Sequence, residues 1–219
     1  SEYEEMSSSL GDETFNFIFT KMRRLWPHVL LSCAMILCVE ISVGRMTLLD
    51  ALFKVWTCLS DLLFVHMSGF SYGMINGHFW YLSVLILSAW FLYPIARSRP
   101  NLFNLVIAPL VALFLIGWMV QINGGVGRPV VRSGIIFNGL IRSLAEVCAG
   151  CFCYAISRRL SANRNFNERT LPLLFLWFIC VVLAFCWMWQ SFGGSVFHLL
   201  ILFCVIITLS FSLPVFEIK

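Results

Sequence analysis

Residues 171–190 read LPLLFLWFICVVLAFCWMWQ, a run of twenty residues without one charged side chain. A hydrocarbon core about 30 Å thick needs about 20 apolar residues in a helix that crosses it. Five further segments have a similar length and are predominantly apolar: 25–43, 79–96, 102–121, 135–156 and 196–216. The sequence therefore predicts an all-α fold, a polytopic transmembrane helix bundle with about six spanning helices.

The composition excludes a water-soluble protein. Hydrophobic residues make up 60% of the 219 residues and charged residues only 12%, which is too little polar surface to cover a globule of this size. The net charge of +4 does not indicate nucleic acid, because the basic residues form short clusters at segment ends, where orientation in a bilayer explains them. Membrane lipid is the expected surrounding, and no nucleic acid partner is expected.

A seventh apolar stretch, residues 48–70, contains Asp50, Lys54, Asp61 and His66 and is ambiguous by hydropathy. If it does not cross, ten basic residues lie on the cytoplasmic side and four outside, whereas a crossing there would leave only five inside. Cytoplasmic loops collect Lys and Arg. We therefore expect 48–70 to be a re-entrant or interfacial helix outside, in a multi-pass protein of the cell membrane with both termini in the cytoplasm.

The domain organisation is simple. Residues 1–20 form a polar, acidic N-terminal segment, and residues 21–219 form one membrane domain. All nine cysteines fall in apolar segments, so we expect reduced, buried thiols rather than disulfides. We expect no metal site, because thiolate ligands must lose their protons and an apolar helix face disfavours that.

Three polar residues recur every four positions in the fourth predicted span: Asn138, Arg142 and Glu146. This spacing places them on one helical face, where Arg142 and Glu146 can pair. Counted from Ile135 at about 1.5 Å per residue, Arg142 lies about 10 Å along the segment. Ionisable residues in a span indicate function, and the alternative is a neutralised pair that locks two helices together.

Two further clusters flank the spans. The segment 76–83, NGHFWYLS, opens the second span with His78 and Ser83 among aromatic residues, although an interfacial aromatic belt would explain its rings alone. Lys21, Arg23, Arg24 and His28 surround a Trp-Pro pair at the start of the first span. Such a cluster can bind phosphates, and the alternative is a positive-inside anchor.

These clusters resemble motifs of the acyltransferase family 3 membrane proteins. Residues 21–28, KMRRLWPH, resemble the basic "R-x-x-R, then Pro" start of that family's third helix. Residues 76–83 resemble the "W-x-L-S" segment of Gram-positive-type polysaccharide acetyltransferases, and Leu-Tyr-Pro follows at 92–94. Residues 138–150, with Tyr154 beyond, are similar to the family's helix with Arg and Gly eight positions apart. The three motifs keep the family's order over about residues 15–212.

The resemblance implies an integral membrane O-acyltransferase. Its donor is usually cytoplasmic acetyl-CoA or another acyl-CoA, used as a substrate and not as a bound cofactor, and its acceptor is a hydroxyl of a cell-surface carbohydrate or lipid-linked glycan. The expected donor-binding residues are Lys21, Arg23 and Arg24. The expected acceptor-binding residues are Asn76, His78, Trp80, Ser83 and Asn138. The candidate catalytic residues are His28, His78, Arg142 and Glu146.

The chain departs from the family pattern in two ways. The family's first helix has an Arg followed eleven residues later by a His taken as catalytic, and no Arg–His pair here has that spacing. Val84 and Leu85 stand where many members have an acidic residue after "W-x-L-S". The family usually has about ten spans. The resemblance therefore implies the central part of such an enzyme, inactive or weakly active as it stands.

Two other functions fit the same residues. Arg142 and Glu146 could line the solute path of a small transporter or channel, since paired charges deep in a span suit that role. The glycine and small residues of 135–156 would also suit a scaffold that binds a partner helix in the membrane.

Overall fold

The computed structural model describes residues 2–57, 59, 63–64, 79–124, 132–133, 136–162, 170–189 and 196–213. Its helices are α1 Glu2–Ser42, α2 Leu48–Thr57, α3 Phe79–Ser98, α4 Pro100–Leu102, a π-helical turn Phe103–Ile107, α5 Ala108–Asn123, α6 Asn138–Ser161, α7 Thr170–Trp189 and α8 Val196–Ser212. Two short strands, β1 Arg132–Ser133 and β2 Ile136–Phe137, pair antiparallel. The predicted all-α membrane bundle is confirmed.

The long apolar helices coincide with the predicted spans. Four stretches of the described chain are long and apolar enough to cross a membrane: Leu10–Ser42, Phe79–Ser98, Pro100–Ile122 and Asn138–Ser161. Two shorter apolar stretches are Thr170–Cys186 and His198–Ser212. Large apolar side chains such as Phe91, Phe114 and Phe175 are more than half exposed. Such a surface belongs in lipid rather than in water.

The chain forms two compact units by its contacts. Unit 1 contains residues 1–99 and 128–144, which include α1, α2, α3, both strands and the first two turns of α6. Unit 2 contains residues 100–127 and 145–219, which include α4, the π-helical turn, α5, the rest of α6, α7 and α8. In unit 2 the Trp177 indole N–H donates to Ser210 Oγ at 2.8 Å and links α7 to α8.

Helix α1 joins the polar N-terminal segment to the first span without a break. Its 41 residues at about 1.5 Å each give a length of about 60 Å, twice the thickness of a hydrocarbon core. Part of α1 must therefore lie beyond the hydrocarbon. The buried side chains Thr14 and Ile18 show that its N-terminal half packs within unit 1.

Helices α1 and α3 run in opposite directions. The N-terminal part of α1 meets the C-terminal end of α3, where Arg97 contacts Glu13. Further along, residues of both helices share one apolar cluster with Phe64: Ile18, Val29 and Cys33 of α1, and Phe79 and Ile86 of α3. The stretch between α1 and α3 therefore begins and ends on the same side of unit 1, which agrees with a segment 48–70 that makes no net crossing.

Helix α2 has the character of an interfacial helix. Its 10 residues extend only about 15 Å, too short to cross a bilayer. Five large apolar side chains are exposed: Leu48, Leu49, Leu52, Phe53 and Trp56. On the other side Ala51 is buried, and Lys54 Nζ lies 2.8 Å from Glu40 Oε2 at the end of α1. The ion pair holds α2 against α1 while the apolar face stays available to lipid.

Helix α2 begins with a reciprocal cap. The Asp50 N–H donates to Thr47 Oγ1 at 3.2 Å, and the Thr47 hydroxyl and N–H donate to Asp50 Oδ2 at 2.7 and 3.0 Å. Such exchange satisfies amide groups that the first turn leaves unpaired.

This cap predicts a pH dependence of α2. The side-chain and backbone hydrogen bonds from Thr47 lower the pKa of Asp50 below its ordinary value. A carboxyl group with a lowered pKa stabilises the folded state at pH values above its pKa in the unfolded chain, about 3.9. This stabilisation is lost as the pH falls through the pKa of the group in the folded state. Hydrogen exchange at α2 amides should therefore accelerate, relative to the other helices, in strongly acidic buffer. Asp50→Asn should remove that extra pH dependence, and an unchanged pH profile would contradict the cap's role.

The fourth predicted span begins later than expected. Residues 136–137 pair with 132–133, so α6 starts at Asn138 rather than at Ile135. Arg142 therefore lies one turn, about 6 Å, from the helix start instead of about 10 Å. The hydropathy of Ile135, Ile136 and Phe137 cannot distinguish a strand from a helix over so few residues.

Candidate functional site

The predicted donor-binding residues lie together on one exposed stretch of α1. Lys21, Arg23 and Arg24 are exposed, and so is His28 one turn further along. His28 Nδ1 lies 3.3 Å from the Arg24 carbonyl oxygen, which orients the ring along the helix. Three cations and an imidazole thus occupy about two turns of one helix.

A polar network joins α1 to α3 next to this basic stretch. Glu13 Oε1 accepts a hydrogen bond from the Tyr93 hydroxyl at 3.0 Å and another from Arg97 Nε at 2.9 Å. The sequence does not indicate this network. Glu13 is one of several acids in a polar segment, and only the antiparallel packing of two helices brings it to Tyr93.

An aromatic stack continues from the network toward the basic stretch. The rings of Phe17 and Tyr93 lie 4.3 Å apart between centroids and are inclined by 14°. The Lys21 ammonium lies over the Phe17 ring, 5.5 Å from its centroid. This distance is within the range of a cation–π contact. Lys21 is thereby connected, through two rings and a carboxylate, to the C-terminal end of α3.

A second group of polar side chains is buried where α3 meets the start of α6. Ser83 and Asn138, two of the predicted acceptor-binding residues, are both 0% exposed. Val84 and Phe137 pack together beside them, with the half-buried Trp80 against this pair. Such burial of polar groups in apolar surroundings is costly unless they are hydrogen-bonded.

Two serines in this region differ in their hydrogen bonding. Ser88 Oγ donates to Ser143 Oγ at 3.0 Å and links α3 to α6. Ser83 Oγ is buried and has no hydrogen-bond partner among the residues that the structure describes.

The structure describes only some of the remaining predicted site residues. Arg142 and Glu146 are half-buried one turn apart on α6, with Arg142 in the portion of the helix that belongs to unit 1. Asn76 and His78 lie outside the described residues. The structure therefore places the basic residues on one exposed stretch of α1 and buries Ser83 and Asn138 separately, next to the contact of Val84 with Phe137.

Unit 2 contains an apolar cavity of about 460 Å³. Side chains of α5, α6, α7 and α8 line it, among them Ala112, Phe152, Leu176 and Val205. Cys153 Sγ at its wall donates to the Cys204 carbonyl oxygen at 3.6 Å. None of the predicted site residues that the structure describes lines this cavity. Within the described ranges no group of three or more His, Cys, Asp or Glu side chains could hold a metal ion.

Comparison with known proteins identifies the family. A family model described as an acyltransferase domain matches residues 6–216. No curated protein and no solved structure matches the chain. The matched region includes the basic stretch of α1, the start of α3 and the whole of α6. The apolar helices, the three motifs in order and this match over nearly the whole sequence agree, and the chain belongs to acyltransferase family 3, a family of membrane acyltransferases.

Proposed function

We propose that this protein transfers an acyl group, usually acetyl, from cytoplasmic acyl-CoA to a hydroxyl of a cell-surface carbohydrate or lipid-linked glycan. The observation that carries the proposal is the exposed basic stretch on α1, packed against α3 through Glu13, Tyr93 and Arg97. Membership of an acyltransferase family supports the reaction class. The donor and acceptor are those that the resemblance to the family implies, and the chemistry of the residues is compatible with both.

Lys21, Arg23 and Arg24 suit the donor. Coenzyme A carries a pyrophosphate and a 3′-phosphate, and exposed Lys and Arg side chains form strong, charge-assisted hydrogen bonds to phosphate oxygens. All three side chains are exposed on α1, where a water-soluble donor can reach them. The positive-inside tendency places such a cluster in the cytoplasm, the compartment that supplies acyl-CoA.

The proposed reaction is acyl transfer to oxygen. A base removes the proton of the acceptor hydroxyl while its oxygen attacks the thioester carbonyl carbon. The carbon–sulfur bond breaks, coenzyme A leaves as its thiol with a proton, and an ester forms. His28, exposed one turn beyond Arg24, and His78 are the candidate bases. Arg142 and Glu146 are candidates for stabilising charge during the attack.

The buried polar group at the start of α3 suits the acceptor. Ser83 and Asn138 supply hydroxyl and amide groups, and Trp80 packs against their sequence neighbours Val84 and Phe137. Sugar hydroxyls both donate and accept hydrogen bonds, so they match these groups. We assign Asn76 and His78 to the same role because they precede Trp80 in the same motif.

Calorimetric titration of the purified protein in lipid nanodiscs tests the donor assignment. We expect coenzyme A to bind and pantetheine, which lacks all phosphates, to bind at least a hundredfold more weakly, since each charge-assisted bond contributes about 1.5–3 kcal/mol. Equal affinity for the two compounds would contradict phosphate recognition by the basic stretch.

The orientation of the chain gives a separate prediction. We expect Asn123, at the end of α5, to face outward and Asn163 to face the cytoplasm, because that arrangement leaves ten basic residues inside against four outside. Single cysteines at these positions, in a background without the native cysteines, should label with an impermeant maleimide at 123 but not at 163 in whole cells. Labelling at 163 with protection at 123 would refute the orientation.

A further inference from the structure

We propose that Phe17, Tyr93, Glu13 and Arg97 form a positioning site that holds the Lys21 ammonium in place for the phosphates of the donor. This inference rests on the proposed donor site and adds to it four residues that do not themselves contact the donor. The site is a continuous series of contacts from the end of α3 to Lys21.

Lys21 is held by its contact with Phe17. A lysine side chain has a flexible four-carbon stem, and it loses conformational entropy when its ammonium is held in one position. Lys21 lies one turn beyond Phe17 on the same face of α1, and its ammonium lies over the ring at 5.5 Å. The ring attracts the cation without neutralising it, so the charge stays available to a phosphate.

Phe17 is in turn held by its contact with Tyr93. Their rings are nearly parallel, 4.3 Å apart, and the Tyr93 hydroxyl donates to Glu13 at 3.0 Å. Phe17 has no polar atom of its own to fix its ring. Tyr93 supplies the fixed surface, because its ring packs on Phe17 and its hydroxyl is bound to Glu13.

The charge of Glu13 is balanced within the site. Glu13, Phe17 and Lys21 are four residues apart in turn, so they share one face of α1 over about 12 Å. An unbalanced carboxylate at Glu13 would repel the phosphates of an incoming donor. Arg97 Nε lies 2.9 Å from Glu13 Oε1 and balances that charge. The network therefore orients the stack without making the site less positive.

A double-mutant cycle on coenzyme A affinity tests the inference. Phe17→Leu should weaken binding about two- to fivefold when Lys21 is present, the effect of losing one cation–π contact at an exposed site. The same substitution should have no effect in a Lys21→Gln background, because no ammonium remains to be positioned. Phe17→Tyr, which keeps a ring, should retain the original affinity.

Phe15→Leu is the matched control. Phe15 is on the same helix and stacks on Phe19 at 5.9 Å, away from Lys21, so its loss should leave coenzyme A affinity unchanged. Tyr93→Phe is a milder variant that keeps both rings and removes only the hydrogen bond to Glu13. It should reduce coenzyme A affinity less than Phe17→Leu does, and it should have no effect in the Lys21→Gln background. Measuring it in both backgrounds keeps the test decisive if Phe17→Leu does not fold.

The outcomes separate the two proposals. If Lys21→Gln alone leaves coenzyme A affinity unchanged, the donor site is wrong and the positioning role falls with it. If Lys21→Gln weakens binding but Phe17→Leu has the same effect in both backgrounds, or none in either, the donor site stands and the positioning role is refuted.

Discussion

Replacing Lys21 and Arg24 together with glutamine is expected to weaken coenzyme A binding at least a hundredfold. Each residue is exposed on α1 and is proposed to make a charge-assisted contact with a phosphate. One such contact contributes about 1.5–3 kcal/mol, so the loss of two exceeds 3 kcal/mol, or a factor of about 100. Calorimetry on protein in nanodiscs measures this directly.

Arg158→Gln with Arg159→Gln is the matched control. These two arginines are exposed in the last turn of α6, so the variant removes the same amount of charge from a different helix. Its affinity for coenzyme A should stay within about twofold of the original, because neither arginine is one of the proposed donor-binding residues. If the Lys21 and Arg24 variant inserts correctly and binds coenzyme A as well as the control does, the cluster is only a topological anchor.

Alanine substitutions at two buried serines of α3 are expected to change stability in opposite directions. Ser83 and Ser88 are both 0% exposed, but only Ser88 has a hydrogen-bond partner within the described part of the chain. Ser88→Ala should destabilise the protein by about 0.6–1.7 kcal/mol, the range for hydrogen bonds between membrane helices. Ser83→Ala should stabilise it by about 1 kcal/mol, because it removes a buried hydroxyl that costs about 1–3 kcal/mol to leave unpaired.

The same pair of variants tests the role of Ser83 in acceptor binding. If a substrate hydroxyl pairs with Ser83, Ser83→Ala should raise the KM for the acceptor about two- to tenfold, the effect of one net hydrogen bond. Ser88→Ala should leave that KM unchanged. Thermal unfolding in detergent and acceptor titrations supply the two readouts. A destabilised Ser83→Ala protein with an unaltered KM would show that the hydroxyl serves packing alone.

The spans could be predicted because their signal is local. Length, hydropathy and the absence of charge decide whether a segment such as 171–190 crosses a bilayer. The counting of basic residues also excluded a net crossing in 48–70, and the antiparallel contact between α1 and α3 agrees with that exclusion. Helix α2 could be anticipated only as re-entrant or interfacial, since its ten residues sit in a longer apolar run.

The contacts between helices could not be predicted, because they depend on register. Glu13 and Arg97 are 84 residues apart, and their pairing requires two helices to pack antiparallel at one particular offset. The bond between Ser88 and Ser143 depends on register in the same way. The strand pair that delays α6 to Asn138 is too short to produce a periodic pattern.

The candidate site was predictable residue by residue but not as an arrangement. Basic residues beside Pro27 and the polar residues Ser83 and Asn138 stand out in an apolar sequence because charge and polarity are costly there. Phe17 and Tyr93 do not, since aromatic residues are common throughout this chain. Their significance comes from the 4.3 Å stack that places Phe17 beneath Lys21.

The central claim is the transfer of an acyl group from acyl-CoA to a glycan hydroxyl. Vesicles containing the protein and membrane glycans should be supplied with acetyl-CoA labelled in the acetyl group on the side where Lys21 is exposed. Because no Arg–His pair here has the spacing of the family's first helix, the account predicts only slow incorporation of label into a base-labile ester on the glycan. This label disappears in the Lys21→Gln, Arg24→Gln variant and persists in the Arg158→Gln, Arg159→Gln control. Incorporation no higher than in vesicles without the protein would contradict it.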